Sequence, residues 1–597
     1  MTKGQIKVAG ASAERIYKRS GGRSGWLALL LGFAIFGLQW IVLTPHRENY
    51  IPNDDDISIL ADGLLIAPGA RWQDWFTRGH SHFYDLYPDY PAHETEFART
   101  AFTRPAFQFV LYVAHFVLDR DWPSYLLINS IAVAGMGAIA FQIAQSVLRL
   151  SIGSSLVAAI MVVVSPPLWV SLVWGLLYAI EPLTTVFVAA AFLAVFARRD
   201  FLCLGFLFLA LLTKENAVWA PFAASATILL HPKTDESPRR RIFTAAAMLL
   251  PIAMWVGLRF AFFGGIGGTY ATAGYTPFAD FLKLILFKLT HLHYLFVTDI
   301  VRAPWDAHQN MGFRILTWAL ALLIYALLLL WALHIFPQAI DRFRLAMREA
   351  RWPNVDAGLL VALWAGIALA FHFAIPLSSN RYATSVVVFA WPALIAEVER
   401  RNKGIIWLSL AVLCTLSLTR TTYRLSEWMR EDTQSTSRPN DVRLMDAMLK
   451  QVPTEIQQIY VLSAAGLPVA NPEYVRLILG VPAEIIRVVE IAWNCDADDL
   501  VAFDHTIANG VLSMDITLPS CAHFYFATDR FDSELTKGNL YRNERMNYEL
   551  PEVERIRGPE PYLSLGRRMT IHISPTGPAR FIIAHGIPDG IATFDIP

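Results

Sequence analysis

Apolar segments long enough to cross a lipid bilayer recur between residues 26 and 419, and no other feature constrains the fold as strongly. A membrane-spanning helix needs about 20 mostly apolar residues, because each residue advances the helix by about 1.5 Å through about 30 Å of hydrocarbon. The pattern predicts a polytopic α-helical membrane protein with about 11 transmembrane helices. The predicted spans are 26–44, 124–148, 153–173, 182–197, 201–213, 216–231, 242–263, 315–336, 357–376, 384–398 and 405–419.

The first apolar segment and the basic residues predict an orientation. Trp26–Thr44 carries no charge, and six basic residues and one acidic residue precede it. The segment is too long for a cleaved signal peptide and no small-x-small site follows, so we interpret it as an anchor with a cytoplasmic N-terminus. With eleven spans the basic clusters fall on that same side, as the positive-inside rule requires. These clusters are Arg149, Arg198 and Arg199, Arg239–Arg241, Arg342–Arg351 and Arg400–Lys403.

Composition favours a membrane protein and excludes other classes. Of 597 residues, 55% are hydrophobic and 17% are charged, whereas soluble proteins carry about 25% charged residues. The 50 basic residues balance the 50 acidic ones, so we expect no nucleic-acid partner. Four cysteines exclude a disulfide-dense scaffold, and nothing resembles an organelle-targeting peptide. We expect an integral protein of the bacterial inner (plasma) membrane, with the lipid bilayer as one partner.

The spans divide the chain into three predicted regions. Residues 1–25 form a cytoplasmic tail, 26–419 a transmembrane domain with outer loops 45–105 and 264–314, and 420–597 an extracytoplasmic mixed α/β domain. The apolar segments 106–118 and 279–298 would break the charge pattern as spans, so we predict helices at the outer membrane surface. In the C-terminal domain we predict strands at 457–464, 484–493, 523–528, 569–574 and 580–586, and a helix at 473–480. Cys495 and Cys521 could form a disulfide or remain two buried thiols.

An acidic run follows the first span. Asp54, Asp55 and Asp56 are consecutive, and three adjacent carboxylates repel one another unless water, a cation or a reactive site absorbs the charge. A solvated acidic loop is the plainer interpretation. The position of the acidic run just above the membrane favours a second interpretation, in which a carboxylate contacts a lipid headgroup substrate or the run holds a divalent cation.

Basic residues at the outer ends of spans are candidates for anion binding. Lys214 and Glu215 lie between two short apolar runs, where a charged pair is costly unless it is paired or solvated. Lys214 could bind a phosphate while Glu215 orients it or begins the next helix, or the lysine could simply extend towards water beside its glutamate. Arg381 and Tyr382 could donate to phosphate oxygens, although interface anchoring by these residue types is common.

Weaker candidates lie on the same predicted side. They are Arg104, Glu181, Arg259, Lys288 and His291, each of which is more often an interface or core residue than a ligand. The glycine run 264–268 lacks the Lys-Ser/Thr of a phosphate-binding loop, so we interpret it as a flexible loop. The sequence contains no metal-spaced Cys/His cluster, no H-E-x-x-H and no G-x-S-x-G. A resident cofactor is therefore not predicted, apart from a divalent cation at the acidic run.

Four segments in this order resemble motifs of the GT-C superfamily of membrane glycosyltransferases, which use polyprenyl-phosphate-linked sugars. The similarity is strongest to the protein O-mannosyltransferase and aminoarabinose-transferase branch, and it covers about residues 26–400. NDDDISI (53–59) resembles the acidic motif after the first span, and LLTKENAVWAPF (211–222) the lysine motif that contacts the lipid phosphate. TRPAFQFVLYVAHFVL (103–118) is similar to the Arg/Lys-Pro surface helix, and NRYATSVVVFAWPAL (380–394) to the Arg-Tyr motif near the last spans.

The resemblance implies a GT-C-like fold and an inverting transfer to a glycan, lipid or protein acceptor. One carboxylate of Asp54, Asp55 and Asp56 would act as general base, although three aspartates stand where the superfamily has Asp-Glu. Lys214 and Arg381, with Tyr382 and Arg104, would bind the donor phosphate. Glu181, Glu215, Arg259, Lys288 and His291 are candidate substrate contacts.

Two other functions use the same residues. A transporter or flippase of lipid-linked sugars would bind the phosphate but transfer nothing, although we find no inverted repeat of the kind that transporters often carry. A membrane-anchored binding or assembly protein of the cell envelope would act through residues 420–597 instead.

Overall fold

A computed structural model describes twenty-five stretches of the chain. They are residues 24–42, 104–118, 122–165, 167–168, 179–231, 237–263, 278–290, 292–296, 311–348, 355–374, 383–401, 404, 406–408, 410–415, 456–463, 486–488, 492–493, 502–517, 524–526, 538–542, 546–550, 554–556, 562–564, 567–584 and 591–597. The helices belong to one compact unit and the strands to another.

The helical unit contains fourteen α-helices within the described residues. They are α1 (Ser24–Val42), α2 (Pro105–Leu118), α3 (Trp122–Gln142), α4 (Ile152–Val163), α5 (Ile180–Phe196), α6 (Asp200–Thr213), α7 (Trp219–Leu230), α8 (Pro238–Ala247), α9 (Leu250–Phe263), α10 (Phe278–Thr290), α11 (Met311–Arg348), α12 (Ala357–Ala374), α13 (Thr384–Arg401) and α14 (Ile406–Thr415). A π-helical turn, Ile143–Val147, continues α3, and 3-10 turns lie at Glu215–Val218 and Leu292–Leu295.

Five described helical stretches are long and apolar enough to cross a membrane, which is typical of an integral membrane protein. They are Ser24–Val42, Ser124–Val147, Pro238–Ala261, Ala321–Arg342 and Ala357–Ala374. These correspond to five of the predicted spans, while the helices at the remaining six are shorter or carry more charge in the described residues. Helices α4 and α7 have 12 residues each, about 18 Å of helix. The count of eleven spans is therefore not established by helix length.

Two predicted span boundaries need correction. The span predicted at 153–173 is not one helix, because α4 ends at Val163. Ser165 is followed by two prolines, which lack a backbone N–H and disfavour helix in the residue before them. The span predicted at 315–336 is part of a helix of 38 residues that continues to Arg348. A charged segment can remain helical beyond an apolar one because water solvates its side chains.

Aromatic side chains pack the centre of the helical unit. Trp364 is fully buried and forms edge-on contacts with Phe192 and Trp219 at ring-centroid distances of 5.2 and 5.8 Å. Its indole N–H donates to Thr227 Oγ1 at 2.8 Å. Trp391 likewise donates to Ser165 Oγ at 2.8 Å. Each buried indole N–H is therefore satisfied by a hydroxyl on a neighbouring element, which fixes how the helices pack.

Two helices end at an arginine in the left-handed backbone conformation. Arg149 has a φ of 59° and Arg198 a φ of 57°. In each case the next residue donates its N–H to a carbonyl of the last helical turn, at 3.0 and 2.8 Å respectively. Glycine is the usual residue at this position, because an L-residue there costs roughly 1–2 kcal/mol. Both turns therefore hold an arginine at a conformational cost.

The second unit is built from three β-sheets in its described residues. The strands are β1 (Gln458–Ser463), β2 (Ile486–Val488), β3 (Ala492–Trp493), β4 (Ala502–Ala508), β5 (Val511–Thr517), β6 (Phe524–Phe526), β7 (Gly538–Arg542), β8 (Met546–Leu550), β9 (Glu554–Ile556), β10 (Tyr562–Ser564), β11 (Arg568–Ile573), β12 (Ala579–Ala584) and β13 (Ile591–Ile596). Their orders are β13-β12-β1-β2, β3-β6-β10-β9 and β4-β5-β11-β8-β7. In the first sheet β1 runs parallel to both neighbours, and the other sheets are antiparallel.

Four of the five predicted strands are present as single strands. Within the predicted strand 484–493 the described residues belong to two strands, β2, which pairs with β1, and β3, which pairs with β6 in another sheet. Strands β4 and β5 were not predicted, although they flank a tight turn in which Asn509 and Gly510 both have positive φ. An Asn-Gly pair between apolar runs is a strong hairpin signal. The predicted helix at 473–480 and both Cys495 and Cys521 lie outside the described residues.

Candidate functional site

Five charged side chains meet where several helices of the first unit begin or end. Helices α5 and α6 are joined by three residues, so they run antiparallel and the start of α5 lies beside the end of α6. The 3-10 turn after α6, the start of α2 and the last turns of α9 reach the same place. We call this the charged cluster. Its members are Arg104, Glu181, Lys214, Glu215 and Arg259.

Lys214 and Glu181 form a buried ion pair within the cluster. Lys214 follows the last residue of α6 in an extended conformation, and Glu181 lies in the first turn of α5. The lysine Nζ donates to Oε1 of the glutamate, and the two side chains are 3% and 2% exposed. Glu181 is also favoured there because the N-terminus of a helix carries a partial positive charge.

Arg104 and Glu215 form the second ion pair, with looser geometry. Arg104 Nη2 lies 3.7 Å from Glu215 Oε1. Arg104 Nε and both carboxylate oxygens of Glu215 are buried and make no hydrogen bond with the described part of the chain. Burial alone would raise the pKa of Glu215, but the positive charges of Arg104 and Lys214 hold it below its usual range. Glu215 is therefore ionised and keeps unused capacity to accept hydrogen bonds.

Arg259 adds a third cation from α9. It is buried, and its Cζ lies 5.0 Å from the centroid of the Trp255 ring, within the range of a cation–π contact. Arg259 also interacts electrostatically with Glu215 and Arg104. A tryptophan face and a carboxylate together stabilise a guanidinium that would otherwise be expensive to bury.

The five described members of the cluster carry more positive than negative charge. Three cations and two carboxylates give a formal net charge of +1 at a place where each ion costs several kcal/mol to desolvate. Charged residues in apolar helical proteins are rare and mark functional sites unless fully compensated. A buried site that holds three cations, with Arg104 Nε making no hydrogen bond to the described residues, is suited to an anionic group such as phosphate.

Hydroxyl groups border the cluster beside Glu181. Thr185, one turn into α5, hydrogen-bonds Thr384 Oγ1 at 2.8 Å and Ser385 Oγ at 2.9 Å at the start of α13. Thr384 lies 3.5 Å from the carbonyl oxygen of Glu181. The beginning of α13 is thus held against the beginning of α5. These hydroxyls were not predicted from the sequence, because single threonines in apolar helices form no recognisable spacing pattern.

A second polar pair lies between α10 and α12. Lys288 Nζ donates to the carbonyl oxygen of His372 at 2.7 Å, and both residues are buried. That carbonyl belongs to the last turn of α12, whose carbonyls lack helical partners, so the lysine caps the helix. His372 was not predicted, and a histidine near the end of an apolar helix was its only sequence signal.

The structure brings together five of the residues selected from the sequence. Arg104, Glu181, Lys214, Glu215 and Arg259 share one cluster, whereas Lys288 contacts the end of α12. The ion pairs differ from those expected from the sequence, in which Lys214 and Glu215 were considered together. In the structure Lys214 pairs with Glu181, and Glu215 pairs with Arg104. Six predicted site residues lie outside the described part of the chain, and their roles stay predictions. They are Asp54, Asp55, Asp56, His291, Arg381 and Tyr382.

Two further sequence features concern ligands. No group of three or more His, Cys, Asp or Glu side chains suited to a metal occurs among the residues that the structure describes. The acidic run 54–56, the one predicted cation site, is not among those residues, and neither is the glycine run 264–268.

Comparison with known proteins gives only weak structural likeness. No protein-family model matches the chain, and no curated protein matches it. Among solved structures, the chain is similar to the crystal structure of ArnT from Cupriavidus metallidurans bound to undecaprenyl phosphate. The two are 12% identical with a TM-score of 0.38, over 92% of this chain and 98% of that one. At this level the likeness assigns neither a family nor an activity, so the charged cluster itself is the basis for a functional proposal.

Proposed function

We propose that this protein is an inverting glycosyltransferase that moves a sugar from a polyprenyl-phosphate donor to an acceptor on the extracytoplasmic face of the membrane. The observation that carries the proposal is the charged cluster, in which three cations and two carboxylates are buried together at the ends of apolar helices. A ligand suited to it combines a phosphate with a long apolar chain that lies along the helices. A polyprenyl-phosphate sugar has both parts.

Each cation of the cluster has a distinct role in this proposal. Arg104 offers the planar donor set that matches two phosphate oxygens, and Lys214 offers a compact positive charge. Arg259 adds a third positive charge that interacts with Glu215. The carboxylates of Glu181 and Glu215 hold these cations in place before the donor arrives. Fixed cations cost no reorganisation during the reaction, and they stabilise the negative charge that develops on the departing phosphate.

The transfer itself needs a base for the acceptor. One carboxylate of Asp54, Asp55 and Asp56 takes the proton of the acceptor hydroxyl, whose oxygen attacks the anomeric carbon. The bond between that carbon and the phosphate oxygen breaks, and its electron pair stays on the phosphate. The products are the glycosylated acceptor and polyprenyl phosphate, and attack opposite the leaving group inverts the anomeric configuration. Arg381 and Tyr382, which immediately precede Ala383 and α13, are proposed as further phosphate ligands.

The proposed orientation follows from charge at the two ends of the helices. The charged cluster lies at one end of α5 and α6, and Arg198 and Arg199 lie at the other. By the positive-inside rule the arginine end is cytoplasmic and the cluster faces outward. In the same proposal residues 1–25 are a cytoplasmic tail, 26–419 the catalytic domain and 420–597 an extracytoplasmic domain.

A transfer assay on the full chain tests the proposal. The purified protein in proteoliposomes receives radiolabelled polyprenyl-phosphate sugars, with bacterial envelope membranes as the source of acceptors. We expect label to leave the donor lipid and appear in acceptor material, with Lys214→Ala and Arg259→Ala losing the transfer. Arg240→Ala, at an exposed position of α8, is the matched control. Donor that is bound or carried across the bilayer with its sugar–phosphate bond intact would refute the transferase and favour a flippase.

A further inference from the structure

Three side chains in and beside the charged cluster carry buried oxygens that accept no hydrogen bond from the described part of the chain. The atoms are both carboxylate oxygens of Glu215, Oδ1 of Asn216 and Oε1 of Gln108. Gln108 is 3% exposed, and the Glu215 side chain is 14% exposed. A buried polar atom without a partner is costly, and native proteins contain few of them. We call these four atoms the unpartnered oxygens, and they are candidates for contact with a ligand.

The unpartnered oxygens belong to two short segments that the ion pair of Arg104 and Glu215 brings together. Gln108 lies one helical turn after Arg104, and its N–H donates to the Arg104 carbonyl oxygen at 2.9 Å. Residues four apart share one face of a helix, and both of these side chains are buried. Asn216 directly follows Glu215 in the 3-10 turn after α6. The start of α2 and this turn therefore place the oxygens on both sides of one ion pair.

The cations around Glu215 stabilise its charge but donate no hydrogen bond to its carboxylate. Arg104 Nη2 lies 3.7 Å from Oε1, which is beyond hydrogen-bond distance. Lys214 donates to Glu181 instead, and Arg259 interacts with Glu215 electrostatically. The backbone N–H of Glu215 also interacts with the carboxylate, without the geometry of a hydrogen bond. A carboxylate accepts at about four positions, so Glu215 can hold these cations and still accept from a ligand.

The chemistry of the unpartnered oxygens distinguishes the two parts of the proposed donor. The phosphate of a polyprenyl-phosphate sugar is an ionised diester without a proton, so it accepts hydrogen bonds and is repelled by a carboxylate. A sugar hydroxyl both donates and accepts. It therefore satisfies Glu215, which only accepts, and it satisfies the amides of Asn216 and Gln108 in either orientation of their oxygen and nitrogen. The phosphate instead matches Arg104, whose Nε is an unpartnered donor.

We infer that Glu215, Asn216 and Gln108 bind hydroxyl groups of the donor sugar and so determine which sugars the protein accepts. The inference rests on the proposed function, because it assigns the sugar half of the same donor. The sugar is bonded directly to the phosphate, so cations that hold the phosphate place the sugar ring beside Glu215. A site built to hydrogen-bond a hydroxyl rejects an analogue that lacks it, because its buried polar groups then stay unpaired. The ligand is therefore a sugar with free hydroxyls near its anomeric carbon.

Lipid binding by the purified full-length protein in detergent separates the sugar from the phosphate. Native mass spectrometry measures dissociation constants for polyprenyl phosphate that carries glucose, mannose, galactose or xylose. The reference lipid is polyprenyl methyl phosphate, a diester of the same charge without hydroxyls. We expect the wild type to bind at least one sugar-bearing lipid about tenfold or more tightly than the reference. Gln108→Met and Asn216→Leu should each reduce this preference about three- to tenfold and leave the affinity for the reference lipid unchanged.

A matched control and a charge variant complete the set. Gln145→Met removes another buried amide oxygen without a hydrogen bond, in the π-helical turn after α3, and should keep the preference of the wild type. Gln108→Met and Asn216→Leu should unfold at the same or a higher temperature than the wild type, because each removes an unpartnered polar group. If either is unstable, Glu215→Gln provides the second test. It should weaken binding of the sugar-bearing lipid while binding of the reference lipid stays equal or tightens, because a repulsive charge is lost.

The outcomes distinguish this inference from the proposed function. A wild type that binds the reference lipid but prefers no sugar would overturn the inference and leave the phosphate site intact. A sugar preference that is unchanged in all three variants, or reduced equally by Gln145→Met, would do the same. A wild type that binds none of these lipids would refute the proposed function itself, and the inference with it.

Discussion

Lys214 donates a hydrogen bond to Glu181, 33 residues earlier in the chain, and both side chains are almost completely buried. Each charge depends on the other, because a lone ion in this environment would be desolvated without compensation. The pair joins the end of α6 to the start of α5, and it lies beside two more cations. It is therefore both a structural contact and part of the proposed phosphate site.

The two roles of the pair can be separated by a double-mutant cycle. Lys214→Met removes the ion-pair partner of the buried Glu181, and we expect it to cost about 3–5 kcal/mol of unfolding free energy. Glu181→Gln should cost a similar amount for the reciprocal reason. The double variant should regain much of this stability, because no uncompensated charge remains. Stability is measured by unfolding in detergent, and transfer activity should stay absent in the double variant.

A second pair in the same unit provides the control for this cycle. Glu397 accepts hydrogen bonds from both Arg400 and Arg401, and Arg400 is 48% exposed. Arg400→Ala leaves Glu397 paired with Arg401, so it should cost no more than about 1 kcal/mol. If the stability losses of the two single variants simply add in the double variant, Lys214 and Glu181 are not a coupled pair. Full transfer activity of the double variant would show that Lys214 is not part of the phosphate site.

Arg104 should contribute to donor affinity through geometry as well as charge. Arg104→Lys keeps the charge but loses Nε and the planar fork, and we expect about tenfold weaker binding of polyprenyl phosphate. Arg104→Gln removes the charge and should weaken binding about 100-fold, since a hydrogen bond to a charged group contributes roughly 1.5–3 kcal/mol. Dissociation constants are measured with purified protein, and Arg240→Gln at an exposed position is the control. Unchanged affinity in both Arg104 variants would argue against a phosphate contact.

The acidic run should contain the general base. Asp54→Asn, Asp55→Asn and Asp56→Asn each remove one carboxylate while preserving its size. We expect at least one variant to lower kcat by about 10²–10⁴-fold, which is the usual contribution of a positioned base. Its affinity for polyprenyl phosphate should remain near that of the wild type, because the base acts on the acceptor. Full activity in all three variants would exclude this assignment.

The strand unit contains an ion pair with a predictable pH dependence. Arg580 donates to both carboxylate oxygens of Asp595 at 2.6 and 2.8 Å, across β12 and β13. These hydrogen bonds hold the pKa of Asp595 below its ordinary value of 3.8, although burial acts in the opposite direction. A carboxylate with a lowered folded-state pKa stabilises the fold above its unfolded pKa and loses that effect as the pH falls through the folded value.

Hydrogen exchange on β13 measures this contribution. At neutral pH the wild type should protect the β13 amides more than Asp595→Asn does, by at most about 1 kcal/mol because Asp595 is largely exposed. The two proteins should converge as the pH falls below 3.8. Asp515→Asn, which removes the charge from the hydrogen-bond acceptor of Thr570 in another sheet, should leave β13 unchanged. A difference between wild type and Asp595→Asn that persists in acid would contradict the assignment.

Much of the site could be predicted because charges in apolar sequence are conspicuous. Glu181 and Arg259 are single charges among apolar residues, and Lys214 and Glu215 are a charged pair between two apolar runs, so each was a candidate without knowledge of a contact. The adjacency of Glu181 and Lys214 had a sequence signal as well, because the two predicted spans are separated by only three residues. The hydrogen bond between the hydroxyls of Thr185 and Thr384 had no such signal, since these two residues are 199 positions apart in the chain.

The sequence by itself determined that the chain forms apolar helices, and it marked several of their ends within a few residues. The predicted segments 201–213 and 357–376 correspond to Asp200–Thr213 and Ala357–Ala374. Hydrophobic periodicity and helix-capping signals involve residues that are close in the chain, so these features can be predicted from the sequence. Only the tertiary structure decided that Lys214 pairs with Glu181 and that Arg104 pairs with Glu215. These contacts depend on how helices pack against one another, which no local pattern specifies.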